Sequence, residues 1–134
     1  MKKELIQRKI DGTEYWDAKV LDFKIDYFGD VVKILFEDEK ESIYELLLSQ
    51  CYKVYYETDA ERRDIKTVQE MKVLQLAYFI QDISVSDSDM EGFLEIELDL
   101  FPLKANVVCK EITISKRKID ELNFFWRAHE KNED

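Results

Sequence analysis

Histidine, proline and glycine are nearly missing from this chain. Its 134 residues hold one His, one Pro, three Gly and two Cys. The single histidine, His129, sits near the C-terminus in a charged tail, a poor place for a general base that needs an orienting partner. Cys51, Cys109 and His129 are widely separated and supply three zinc ligands at most, so no zinc site is expected. Three glycines leave no GxGxxG or other phosphate-cradling loop, and no cofactor is expected. No apolar run approaches the roughly 18 residues of a membrane span. The start, MKKELIQRKIDG, lacks the apolar stretch of a secretory signal. A cytoplasmic protein with free, buried thiols is therefore the expectation. Basic residues are also outnumbered, 20 against 30 acidic, for a net charge of -10. That balance argues against a nucleic-acid surface, which needs clustered Lys and Arg, and it favours attraction to a basic protein.

What the chain does have is the material for a core. Hydrophobic residues make up 46%, with eight Phe, seven Tyr and two Trp, and the length suits one globular domain over 1–134. Leu5, Ile6 and Ile10 form a short helical stripe that Gly12 could end. EYWDAKVLDFKIDYFGD reads as one long strand whose inward parity switches at Val20–Leu21, the mark of a bulge. Gly29-Asp30 reverses the chain into VVKILF (31–36), and EDEKES (37–42) is a solvated connection. Lys53–Thr58 reads as strand, while the state of 43–50, strand or helical turn, stays open. DAERRDIK (59–66) is loop-like. Thr67 and Glu70 match a capping box ahead of Val68, Met71 and Leu74, which gives a short helix near 68–77. A strand is the competing reading over 68–78, and it prevails from Phe79 onward. Phe79, Ile83 and Val85 share one parity, SDSDMEG turns the chain, and FLEIELDL alternates plainly. Pro102 ends that strand. NVVCKEITIS (106–115) is the last strand, with Val108, Ile112 and Ile114 inward. KRKIDELNFFWRAHE (116–130) is expected as an amphipathic helix or a docked tail. The fold class is α+β: a mostly antiparallel β-sheet or two-sheet sandwich with one or two helices. A doubly wound fold is excluded by the missing βαβ spacing.

The acidity is uneven. From Val73 to Leu103 there is no Lys or Arg, while Asp82, Asp87, Asp89, Glu91, Glu95, Glu97 and Asp99 fall in that stretch. Asp87-Ser88-Asp89-Met90-Glu91-Gly92 imitates the start of a calcium loop, but its twelfth position is Leu98 where a bidentate Glu is needed, so it reads as a hairpin turn. The alternating acids instead form the water-facing side of a strand, a candidate surface for a basic partner. Asp22 and Asp26 are read as solvent-facing rather than catalytic; Asp17 is a structural acceptor or contact residue. Tyr52, Tyr55 and Tyr56, like Phe124, Phe125 and Trp126, are too closely spaced to share one buried face, so some must line a rim or contact surface. The candidate protein-binding set is Asp17, Tyr55, Asp87, Asp89, Glu91, Glu95, Glu97 and Asp99.

The stretch Trp16-Asp17-Ala18-Lys19-Val20-Leu21-Asp22-Phe23-Lys24-Ile25-Asp26 resembles the opening of small bacterial immunity-type proteins, the neutralising partners of polymorphic toxins. Val31–Phe36 and Cys51–Tyr56 are similar to that group's following strands, and Trp16 stands where a His is common. The resemblance, over 16–56, implies a cytoplasmic protein that blocks a toxin, often with acidic surface against a basic cleft. The leading expectation is thus a non-enzymatic protein-binding domain of immunity type that neutralises a basic toxin, without membrane or nucleic-acid binding and with no self-association predicted. The rivals are a small enzyme or ligand-binding protein with a carboxylate-lined pocket, and a structural or assembly subunit.

Overall fold

The computed structural model describes residues 2–39, 41–63 and 67–130. Helix α1 (Lys2–Asp11) is followed by six strands: β1 (Val20–Asp26), β2 (Val31–Glu37), β3 (Ser42–Thr58), β4 (Asp82–Asp87), β5 (Leu94–Leu100) and β6 (Leu103–Lys118). All pair antiparallel in one sheet of order β1-β2-β3-β6-β5-β4. Two three-strand meanders are therefore joined along one long seam, β3 against β6. Residues 43–50, open to either reading from sequence alone, belong to β3.

That seam bends. Leu48 pairs with Ile112 and Cys51 with Cys109, and all four side chains lie in or against one core. A regular strand sends residues three apart to opposite faces, so both strands turn over together between these two pairs. Gln50, with φ of 52°, and a register shift between Cys51 and Lys53 provide the turn-over on β3. The two ends of the sheet consequently fold toward each other. Val32, Ile34, Phe36, Leu46 and Leu48 from one end meet Ile83, Leu94, Ile96, Leu98, Leu100 and Val107 from the other. Ile10, Tyr15, Tyr78 and Ile80 plug the opening between them. The sandwich expected from sequence is realised as one sheet bent on itself, with a shared interior core. The bend also corrects the reading of the last strand: Val107 and Cys109 point inward before it, Ile112 and Ile114 after it, and Val108 faces out.

The first long strand is shorter than its alternation suggests. Strand β1 begins at Val20, and the bulge expected at Val20–Leu21 is present as a register shift between Val20 and Asp22. Residues 13–19 instead form turns and one isolated bridge, Lys19 to Phe79. The amide of Ile80 donates to the Ala18 carbonyl at 2.9 Å, and that of Gln81 to the Asp99 carbonyl at 2.7 Å. The segment before β4 thereby links the β1 end of the sheet to β5.

The helix expected at 68–77 is absent, and the last segment takes the form of a docked tail with one short helix. Between Val68 and Gln75 there are only short 3-10 turns, Val68–Glu70 and Val73–Gln75, and the Thr67 side chain makes no capping bond. Strand β6 runs on to Lys118, and helix α2 spans only Arg127–Glu130. Met71, Leu76, Phe124 and Trp126 are nonetheless buried, against Leu21, Leu35 and Ile43. The apolar stripes were real, but they serve irregular segments docked on a sheet, where burial and not periodicity selects the conformation. The loop at 59–66 is described only through Arg63, and the side chain of His129 lies outside the described residues.

Strand β4 is an edge, and its outward backbone groups are covered. The Tyr15 hydroxyl donates to the Ile83 carbonyl at 3.2 Å and accepts from the Ile83 amide at 3.1 Å. Gln7 Nε2 donates to the Ile83 carbonyl at 2.9 Å, and Gln7 Oε1 accepts from the Val85 amide at 2.7 Å. These side chains substitute for a neighbouring strand and block edge-to-edge pairing. Tyr15→Phe strands the buried Ile83 amide and should cost about 1–3 kcal/mol. Gln7→Ala should cost about 1–2 kcal/mol and favour aggregation. Urea unfolding with light scattering checks both; unchanged midpoints would refute the capping role.

Candidate functional site

The bent sheet has two outer surfaces, and only one is covered by the described residues. Outside β1, β2 and the first half of β3, Met71, Leu76, Phe124 and Trp126 close over Leu21, Leu35 and Ile43. The Trp126 indole N–H donates to the Leu21 carbonyl at 3.0 Å. Outside β4, β5, the first half of β6 and the second half of β3, the side chains are exposed or half-buried.

Strand register lays three rows across this open face. One runs Asp82, Asp99, Lys104, Glu57; the next Ser84, Glu97, Asn106, Tyr55; the third Ser86, Glu95, Val108, Lys53. The rows exist because the inward partners Ile83, Ile96, Leu98, Ala105 and Val107 fix which parity faces water. Carboxylates of Asp82 and Asp99 stand directly opposite, a like-charge pairing that costs stability unless a cation approaches. Lys104 sits across from Asp99 on the other side. Asn106 Nδ2 donates to Glu95 Oε2 at 2.7 Å and fixes that carboxylate. Asp99 Oδ1 is buried without a hydrogen-bond partner among the described residues. A shallow depression of about 320 Å³ lies over Tyr55, Asp82, Glu97, Asp99, Lys104 and Asn106.

The structure thus gathers Tyr55, Glu95, Glu97 and Asp99 of the sequence-derived set on one face, and adds Asp82 and Glu57. It also brings in Lys53 and Lys104, so the face is mixed with an acidic excess. The other members lie elsewhere. Asp87 has the inward parity at the end of β4 and pairs with Lys3 of α1 at 3.1 Å. Asp89 and Glu91 are exposed in the β4–β5 turn. Asp17 is exposed at a φ of 66°, its amide bonded to the Ile80 carbonyl at 2.8 Å.

Sequence reasoning missed a second exposed feature. Tyr27 and Phe28 form the β1–β2 turn and are among the most exposed aromatics of the chain. The signal was present: two bulky aromatics occupy turn positions where Gly, Asn or Asp is the usual choice. Tyr52, Tyr55 and Tyr56 are exposed as well, whereas Phe124 and Trp126 are buried, so the two aromatic groups separate as rim and core.

A partly open apolar pocket of about 210 Å³ lies elsewhere, between β1, the end of β3, and Val68, Leu76 and Phe125. Asp22 lines it, which corrects the solvent-facing reading. Burial raises the Asp22 carboxyl above the usual carboxylate range, against the favourable charge of Lys24 and the Phe23 amide, while Asp26 adds to the rise. Glycoside hydrolysis characteristically uses a pair of carboxylates, and among the described lining residues Asp22 is the one carboxylate. No group of three or more His, Cys, Asp and Glu suited to a metal is found among the described residues. No helix among them is long and apolar enough to cross a membrane. Cys51 and Cys109 are free; Cys109 is buried and Cys51 is half-buried.

The family model of the immunity protein PIM7 matches residues 2–116, from the first helix nearly to the end of β6. The chain belongs to the PIM7 immunity-protein family. Its role is accordingly non-enzymatic and protein-interacting, and the enzyme alternative falls away. The match extends well past the 16–56 region that carried the resemblance in sequence. No curated protein matches the chain. Among solved structures, an uncharacterized protein from Neisseria gonorrhoeae is similar at 14% identity, with a TM-score of 0.47, over 75% of this chain and 92% of that one.

The Asp22 environment gives a pH test. A carboxyl whose folded-state pKa is raised opposes folding once the unfolded chain ionises, so its penalty is absent at low pH, grows as pH rises above the unfolded-state value and is complete above the raised one. Asp22→Asn keeps an acceptor for the Phe23 amide and should match or exceed the wild type in stability at pH 7. The gain should vanish near pH 3. Urea midpoints at the two pH values decide; a loss at pH 7 would show that the charge is needed.

Proposed function

We propose that this PIM7-family protein neutralises a basic protein toxin by binding it through the open outer face of β3, β6, β5 and β4. Membership of the immunity family supports the class of partner. The observation that carries the choice of face is the asymmetry of coverage: one outer surface of the bent sheet is sealed by Phe124 and Trp126, and the other is left open with Glu57, Asp82, Glu95, Glu97 and Asp99 against Lys53 and Lys104. The net charge of -10 steers a cationic partner in the same direction. Steering by these carboxylates speeds encounter, and Tyr55 beside Asn106 offers an aromatic contact with a polar end at the centre of the face. Asp99, with one oxygen unpartnered and a like charge opposite, gains most from an incoming Lys or Arg. A cytoplasmic site of action is part of this reading.

The test asks whether a toxin domain is encoded beside the gene of this chain and co-expresses the two. Wild type should restore growth and bind the purified toxin with an on-rate that falls steeply between low and high salt. The triple change Glu95→Lys, Glu97→Lys and Asp99→Lys should abolish rescue and lower affinity at least about 100-fold, mainly through the on-rate. Unaltered binding by a folded triple variant would remove the face from the interface.

A further inference from the structure

We infer that the β1–β2 turn, Tyr27-Phe28-Gly29, is an aromatic anchor that inserts into a socket rimmed by basic side chains on the toxin. This rests on the immunity reading and adds a second contact to the acidic face.

The turn is built at odds with its own residues. Tyr27 and Phe28 have φ of 55° and 57°, followed by Gly29 at 102°. The left-handed region crowds Cβ against the following carbonyl, so a bulky aromatic there is disfavoured where Gly or Asn is accepted. Nothing inside the fold compensates: the Phe28 side chain is fully exposed and Tyr27 is 76% exposed. Each ring leaves a large apolar surface in water. Folding alone would place polar or small residues at these positions, so the benefit of the aromatics lies outside the chain.

The turn is also held firmly. The Asp30 amide donates to the Tyr27 carbonyl at 3.2 Å, and the Cys51 amide donates to the Asp30 carbonyl at 3.1 Å. A Cβ built on Gly29 would lie 3.8 Å from Val54 Cγ2, so the turn rests on β3 at its bulge. The exposed Tyr52 belongs to that same stretch of β3. A projecting aromatic on a turn whose backbone is already hydrogen-bonded spares the backbone cost of ordering on docking, a quality expected of an interface anchor. The occupant follows from shape and charge. A projecting ring needs a concave partner surface, and Asp26 and Asp30, which flank the turn, need a rim of Lys or Arg.

The experiment compares Phe28→Asn with wild type, since Asn accepts the left-handed conformation and removes the ring. Thermal unfolding should show a midpoint equal to or above wild type. Binding to the catalytically inactive toxin domain should weaken about 10- to 100-fold through a faster off-rate, with the salt dependence of the on-rate unchanged. Tyr27→Asn should follow the same pattern. Tight toxin binding that ignores both substitutions would overturn the anchor and leave the immunity reading standing. Failure of wild type to bind the toxin would overturn that reading and the anchor with it. A midpoint several degrees lower in Phe28→Asn would assign the ring a structural role and overturn the proposal. So would a wild-type dimer that Phe28→Asn dissociates, because the socket would then belong to a second copy of this chain.

Discussion

The pairing of β3 with β6 is the constraint on which the rest of the molecule depends. It is the longest ladder in the protein, from Ser42 opposite Lys118 to Thr58 opposite Leu103, and it joins two meanders that share no other strand pairing. Because both strands turn over between the Leu48–Ile112 and Cys51–Cys109 pairs, the two ends of one sheet face a common interior. Without that bend the two inner faces would lie on opposite sides of the sheet, and neither α1 nor the Tyr78–Ile80 segment could cover both. The bend also creates the surplus outer surface. One part needs a lid and receives residues 68–76 and 119–127; the other is polar enough to stay open.

In the proposed mode of binding, the open face and the β1–β2 turn divide the work of recognition along physical lines. Carboxylates act over several ångströms and govern how fast and in what orientation a charged partner arrives. A desolvated aromatic ring acts only at contact and governs how slowly the partner leaves. Neither contribution requires an enclosed pocket, which accords with the protein-interacting role of the family. The apolar pocket beside Asp22 is set apart from this arrangement; it lies where the docked segments meet β1.

Parts of this were legible in the residues. Strand β5 alternates so regularly that its inward side and its acidic side are both read correctly, because each of its faces has one environment along its whole length. The bulge at Val20–Leu21 was visible for the same reason, as a break in parity. The helix expected at 68–77 is absent, and of the two readings of 116–130 the docked tail prevails over a continuous helix. The apolar spacing of both segments suits a helix equally well as an irregular segment pressed against a sheet, and the competition is decided by Leu21, Leu35 and Ile43, which are distant in sequence. Asp87 looked like a neighbour of Glu95 in the acidic run, yet hairpin register and Lys3 place it on the other side.

By itself, the sequence determined the chemistry: an acidic, strand-rich protein whose one histidine and three glycines exclude most catalytic and phosphate-binding designs, with an immunity-type opening at Trp16–Asp26. Those properties are sums over residues or runs of neighbours and require no knowledge of contacts. Only the tertiary structure decided that the sheet is single and bent, that Asp82, Glu97 and Glu57 share a face with Tyr55, and that Tyr27 and Phe28 stand in water at strained angles. Each of these depends on which strands meet and in what register. That is set by the burial of side chains from both meanders in one core, a condition that no local stretch of the chain contains.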